Sequence, residues 1–406
     1  MKKNKNCRKR KKERRRRRQK QKFNEINFKI LIWIYMKQAS KIILIALYFL
    51  IFDLCEALAQ QARSNTLAPK YSNEFLAVGV GARALAMANT QVAIANDVTA
   101  GYWNPAGLLR IKEKYQASLM HAEYFGGVAS YDYAGFATPI NDDSHLGFSV
   151  IRMGIDNIPD TRFLIDNTGR INYENVGSFA EASYAFIFSY AHYSIAKGLT
   201  LGGNAKILHR TAGVFANAWG FGFDIGAQYE YRKWQAGLVI RDVTSTFNVW
   251  NYNSESVIDV FSLTNNVIPN NSIELTLPRM ILEVGREIDF NDQIGALLTA
   301  GFTFTFDGKR NSWLQSELIS GDFQAGLELN YRKMVFLRGG VGNFQRLDDF
   351  NQITYIQTQP SFGLGFTIKN FTIDYALTNA IRSADNPTTF SHIFSVKVNF
   401  NDKKKK

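Results

Sequence analysis

The chain has 406 residues, 46% of them hydrophobic and 14% aromatic, with a formal net charge of +13. That charge suggests a nucleic-acid partner, yet 18 of the 48 basic and only four of the 35 acidic residues lie in residues 1–59, leaving 30 against 31 beyond them. The body is therefore neutral, which excludes nucleic acid as its partner, and with both cysteines (Cys7 and Cys55) in the same terminal stretch it has no disulfide, thiol nucleophile or cysteine metal site.

Residues 1–35, with the run "RKRKKERRRRRQKQK", read as a basic extension from a misplaced translation start, the real one being Met36. Residues 36–59 have the layout of a secretory signal peptide: "MKQASK", the apolar run "IILIALYFLIF" and the small-x-small site "ALA", with cleavage after Ala59. Eleven apolar residues fall short of the roughly 20 that a membrane helix needs.

Residues 60–110 differ in pattern from the rest of the chain. Within "FLAVGVGARALAMANTQVAIANDVTAGYWNPAGLLR" (75–110), Gly79, Gly81 and Ala84 satisfy G-x-G-x-x-A, with Asp97 eighteen residues after Gly79. A dinucleotide fingerprint needs a βαβ unit around it, and antiparallel strands succeed it here instead.

From residue 111 to residue 400 the chain alternates with a period of two. In "AGFTFTFDG" (300–308) Phe302, Phe304 and Phe306 share one face and Thr303 and Thr305 the other. "FGLGFTI" (362–368), "FTIDYAL" (371–377) and "HIFSVKVNF" (392–400) repeat the pattern. Fourteen strands are predicted, at about 113–125, 130–139, 145–155, 180–193, 199–211, 218–231, 234–242, 277–288, 293–306, 322–331, 334–343, 358–368, 371–379 and 390–400. "SWLQSELIS" (312–320) is assigned to a loop, which gives the even number that single-chain outer-membrane barrels use. Tight links (140–144, 196–198, 232–233, 289–292, 332–333, 369–370) then fall at one end. Long ones (156–179, 212–217, 243–276, 307–321, 344–357, 380–389) fall at the other. The near-identical turns "YRKW" (231–234) and "YRKM" (331–334) place Tyr231, Trp234 and Tyr331 where an aromatic girdle belongs.

A soluble sandwich would bury the same apolar faces between two sheets. The number and regularity of the strands, the export signal, the missing disulfides and the Gly/Thr/charged opposite face favour lipid. A closed barrel is also the sheet that leaves no backbone edge in a bilayer. The expected fold class is all-β and transmembrane: a 14-stranded antiparallel outer-membrane barrel on residues 111–400, followed by a basic tail at 401–406.

"FLAVGVGARALAMA" (75–88), "VAIANDVTAGYWNPAGL" (92–108) and the barrel pattern as far as "FSVKVNF" (394–400) resemble the PorV/PorQ family of Bacteroidetes outer-membrane proteins, which are similar to the fatty-acid transporter FadL. The resemblance implies that residues 60–110 form a helical plug, or hatch, filling the barrel from the periplasmic side. Gly79 and Gly81 would let the plug backbone pass close to the wall, and the small-residue helix "ARALAMA" would fit a narrow lumen. Arg83 would need a lumen carboxylate such as Asp224, Glu328 or Asp374. Asn104 and Pro105, with Ala106 and Gly107, would turn the chain into the first strand, and Asp97 completes the box.

No H-E-x-x-H, G-x-S-x-G or P-loop is present, and His121, His145, His192, His209 and His392 are scattered over separate strands. Neither catalysis, a metal nor a cofactor is expected. The resemblance implies a component of type IX secretion, with the outer-membrane lipid around it and both termini periplasmic. It would receive secreted cargo proteins by their C-terminal signal domain and pass them, with other secretion-system subunits, to a surface attachment complex. Phe163, Tyr173, Phe247, Trp250, Tyr252 and Phe261 on the long loops are its candidate partner-binding residues. The alternative is a FadL-like transporter of small hydrophobic molecules.

Overall fold

A computed structural model describes residues 71–400 apart from 167, 194–195, 257, 259–270, 349–353 and 382–388. The basic extension, the signal peptide, residues 60–70 and the tail at 401–406 lie outside the described residues. The strands are β1 (Tyr115–Tyr124), β2 (Ala129–Asn141), β3 (Ser144–Asp160), β4 (Gly177–Tyr193), β5 (Leu199–Ala212), β6 (Ala216–Tyr231), β7 (Trp234–Arg241), β8 (Thr246–Tyr252) and β9 (Ser272–Thr276). They continue with β10 (Arg279–Asp289), β11 (Ile294–Thr305), β12 (Leu314–Gln315), β13 (Ser320–Tyr331), β14 (Val335–Asp348), β15 (Thr354–Ile368), β16 (Phe371–Ile381) and β17 (Thr389–Phe400).

Fourteen of them make a closed antiparallel ring. Chain neighbours pair throughout, β7 pairs with β10 and β11 with β13 across the shorter elements, and β17 returns to β1 with Tyr115 opposite Phe400 and Glu123 opposite His392. The phenylalanine face of "AGFTFTFDG" looks outward. Leu298 and Phe302 are exposed on β11 while Thr299, Gly301 and Thr305 are buried toward the lumen. Leu282, Leu327, Leu337, Phe362, Leu364, Phe366, Ile373 and Phe394 continue that exposed apolar belt, a surface that only lipid can cover.

The belt is bounded by rings. At the tight-turn end Tyr231, Trp234 and Tyr331 are exposed. Both repeat turns place Arg at positive φ over the preceding tyrosine, Arg232 on Tyr231 at 5.2 Å and Arg332 on Tyr331 at 5.3 Å. Toward the other end His209 lies opposite Tyr184 and Trp219 in register and stacks on Trp219 at 4.3 Å.

Several stretches depart from the expected loops. Within 312–320 the short β12 pairs with β13, Leu314 opposite Gly321 and Gln315 opposite Ser320. Residues 243–276 contain β8 and β9. β8 continues the line of β7 along β6, pairing Phe247 with Phe221 and Tyr252 with Ala216, after a break in which Asp242 and Ser245 take positive φ. Residues 212, 216 and 217 belong to strands, with Ala212 opposite Ala216 around the turn at 213–215. Residues 344–357 are largely β14 and β15, which pair from Gln345↔Gln357 to Asp348↔Thr354 beyond a bulge. In β8 the period of two persists, with Phe247 and Val249 exposed and Thr246 and Asn248 buried.

Candidate functional site

The segment from Tyr71 to Arg110 runs through the ring. Short turns of helix at Glu74–Ala77, Ala82–Ala86, Ala100–Trp103 and Pro105–Arg110 are joined by irregular backbone, and Val80, Ala82, Ala86, Met87, Val92, Ala95 and Leu108 are fully buried. Glu74 meets Arg279 at 2.6 Å near the long connections, and Arg110 meets Glu230 at 3.7 Å beside the "YRKW" turn. The segment therefore enters at the long-connection end, not the tight-turn end. Tyr71 and Phe400, the two described chain ends, lie at opposite ends of the barrel, and the termini themselves, expected on one side, lie outside the described residues.

Charge pairs hold it. Arg83 grips Glu328 with two nitrogens, at 2.9 and 3.1 Å, and donates to Asn96 at 3.2 Å. Arg338 reaches the same carboxylate at 2.6 Å and Asp374 at 2.7 Å. Of the three carboxylates open to Arg83 in the sequence, Asp374 thus belongs to Arg338. Asp224 belongs to Lys206, which bridges it to Asp242 at 2.7 and 2.5 Å. Asp97 accepts from the Thr99 amide and hydroxyl and from Lys397 at 2.9 Å.

Backbone groups are equally tied. Asn104 donates to Val92 O and Ala227 O, both at 3.0 Å, and accepts from Ala106 N as it caps the turn that Pro105 opens. Gln228 donates to Val92 O and Ala95 O, and Glu283 accepts from Ala93 N at 3.1 Å. Trp103 donates to Val80 O, while Arg241 covers the Tyr102 ring at 4.4 Å.

Gly79 and Gly81 both take positive φ, +103° and +85°, and a Cβ on either would meet Asn89, Trp103 or Thr99 of the same segment. The Gly81 backbone does reach the wall, its amide donating to Met120 Sδ of β1 at 2.9 Å. Elsewhere the close approach to the wall is supplied from the wall side. A Cβ on Gly340 would stand 2.5 Å from Ala88 N, and one on Gly237 2.5 Å from Val92 O. Gly107 abuts the Ala95 carbonyl, again inside the segment. Arg338, Arg241, Glu283 and Gln228 join the site without having a motif to mark them. The available signal is a charged or amide side chain in the inward register of an alternating strand.

Above the segment lies a cavity of about 670 Å³ at the long-connection end. Its floor and one side are apolar, from Ala77, Val78, Leu85, Phe125 and Met153, and the other side is polar, from β11, β13, β14 and β15. The partner-binding residues predicted on loops are dispersed. Phe163 and Tyr173 are exposed, by 55% and 77%, on the connection between β3 and β4. Phe247, Trp250 and Tyr252 are not loop residues but belong to β8, where Trp250 donates to Glu274 at 2.7 Å and stacks against Tyr252. Phe261 lies outside the described residues. No group of histidine and carboxylate side chains suited to a metal occurs among the described residues.

No family model matches the chain, and no curated protein does. Solved structures do. The Pseudomonas putida toluene transporter TodX superimposes with a TM-score of 0.52 at 12% identity, over 80% of this chain and 99% of that one. The monoaromatic hydrocarbon channel CymD gives 0.50 at 13%, over 80% and 98%. A Pseudomonas aeruginosa FadL homologue gives 0.49 at 13%, over 80% and 98%. The likeness to TodX and CymD shows the fold, a closed antiparallel barrel. At these identities it concerns the fold alone.

Proposed function

We propose that the protein is a non-catalytic outer-membrane transporter of small hydrophobic molecules, the alternative that the sequence leaves open. Residues 60–110 act as its plug, the tight turns face the periplasm and the signal peptide is cleaved near Ala59. The observation that carries the reading is a closed barrel whose lumen is occupied by an N-terminal segment beneath a cavity open to the long connections. TodX and CymD, which share the fold, are a toluene transporter and a monoaromatic hydrocarbon channel. A solute entering that cavity leaves it by displacing the segment or by passing sideways between strands. Cells lacking the gene are expected to take up radiolabelled apolar solutes several-fold more slowly, with restoration by the wild-type gene. Unchanged uptake across a panel of aromatic and aliphatic hydrocarbons would remove the proposal.

The exposed Phe163 and Tyr173 favour a second reading, in which the protein serves type IX secretion as a PorV/PorQ-like subunit and docks secreted cargo by its C-terminal signal domain. Loss of surface display of secreted proteins on deletion, with hydrocarbon uptake intact, would move the assignment there.

A further inference from the structure

The connection from β11 to β13 carries large apolar side chains on its outer side. Trp313, Leu314, Leu318 and Ile319 are all exposed, Leu318 by 61%. Exposed apolar groups gathered on one short hairpin mark a surface that something other than water covers.

That surface is continuous with the lipid-facing belt. Trp313 stacks on Phe302 at 6.2 Å and meets Phe323 edge-on at 5.2 Å, and Phe344 joins it at 5.4 Å. Phe302 is a belt residue of β11, and Phe323 stands directly opposite it on β13. Gly321, two residues before Phe323 and on the same face, leaves the space in which the belt and the hairpin close together. A Cβ there would stand 3.3 Å from the Phe304 ring and 3.5 Å from Leu314.

The hairpin also answers the demand that an apolar medium places on polar backbone, whose groups need partners within the protein. At its tip Ser316 N donates to Ile319 O at 3.1 Å, and Ile319 N donates to Ser316 Oγ at 3.0 Å. The Leu314 carbonyl accepts from Ser312 Oγ at 2.8 Å, and Arg310 N donates to Ser320 Oγ at 2.8 Å. The root is polar and turned the other way, with Arg310, Asn311 and Ser312 lining the cavity. Glu317, exposed at the tip, is the charged group on the outer side. A carboxylate stays hydrated, so the level of this hairpin is the headgroup boundary and not the hydrocarbon centre. Tryptophan favours that same level.

We propose that the 312–319 hairpin is seated in the membrane interface on the long-connection side, with Trp313, Leu314, Leu318 and Ile319 among the lipids and Glu317 at their headgroups. Lipid is the occupant because the patch extends a face that lipid already covers. The seat is the same whichever solute or cargo the barrel serves.

The test uses the protein in lipid nanodiscs. The chain beyond Ala59 has no cysteine, so Leu314→Cys and Leu318→Cys can each carry one nitroxide label. Phe362→Cys on the belt is the lipid reference, and Arg170→Cys, exposed on the connection between β3 and β4, is the aqueous one. In power-saturation electron paramagnetic resonance both hairpin labels are expected to show an oxygen-to-nickel-chelate accessibility ratio several-fold above that of Arg170→Cys. Lipids brominated near the headgroup are expected to quench the tryptophan fluorescence of the wild type more than that of Trp313→Phe. Nickel-chelate accessibility equal to that of Arg170→Cys places the hairpin in water and overturns the proposal. Protection of both labels from both reagents, with cross-linking to a second chain, places it against protein and overturns it too. Equal quenching of the wild type and Trp313→Phe has the same consequence.

Discussion

Arg338→Met is expected to destabilise the barrel more than any exposed substitution, by about 3–5 kcal/mol. Arg338 is buried, and its guanidinium joins Glu328 on β13 to Asp374 on β16. Methionine fills similar space but leaves the Asp374 carboxylate buried without its cation. Glu328 would fare better because Arg83 still holds it through two hydrogen bonds. The temperature at which the folded band converts to the unfolded band in gel electrophoresis should fall by many degrees. Arg338→Met combined with Asp374→Leu should recover most of that loss, since replacing both partners removes the stranded charge. An equal loss in the single and double variants would show that side-chain shape, not charge, governs the site.

Gly340→Ala is expected to open the lumen. The added methyl would collide with the Met87–Ala88 peptide of the inner segment, which lies on the wall at that point. Two backbones in contact cannot absorb a methyl by changing a rotamer, so the helical turn at Ala82–Ala86 and the residues after it have to lift away. The ring itself keeps its β14 pairing with β13 and β15. The expected result is a rise in single-channel conductance in planar bilayers, together with sensitivity of cells to large antibiotics that the wild type excludes. Gly339→Ala, where the nearest atoms to an added Cβ are 3.8 Å away, is the control and should stay closed.

Much of the ring can be read from the chain because lipid imposes a rule on alternate residues. Each of the fourteen predicted strands has its counterpart, and the "YRKW" and "YRKM" turns sit together at one end. β8 and β9 keep the alternation but are short, of seven and five residues, and read as loop in the sequence. Phe247, Trp250 and Tyr252 accordingly look like loop anchors, although Asn248 and Thr246 alternate with Phe247 and Val249 in plain view. The contacts of the inner segment are less legible. Arg83 and Asp97 find their partners 245 and 300 residues away, and no local pattern reports such a distance. Gly79 and Gly81 draw attention by their spacing, whereas Gly237 and Gly340 look like ordinary members of an alternating strand.

The seam of the ring has a consequence for biosynthesis. β1 is the first wall strand to be made and β17 the last, and they pair along nine residue positions. Until Thr389–Phe400 emerges, any intermediate is an unrolled sheet with two raw margins, one of which is β1. Residues 71–110 precede that margin in the chain yet finish enclosed, so the sheet has to curl around them rather than receive them afterwards. Glu328 and Lys397, which neutralise Arg83 and Asp97, are contributed by the late-made part of the polypeptide. Lys397 lies on β17 itself, so its pair with Asp97 belongs to the strand that closes the ring.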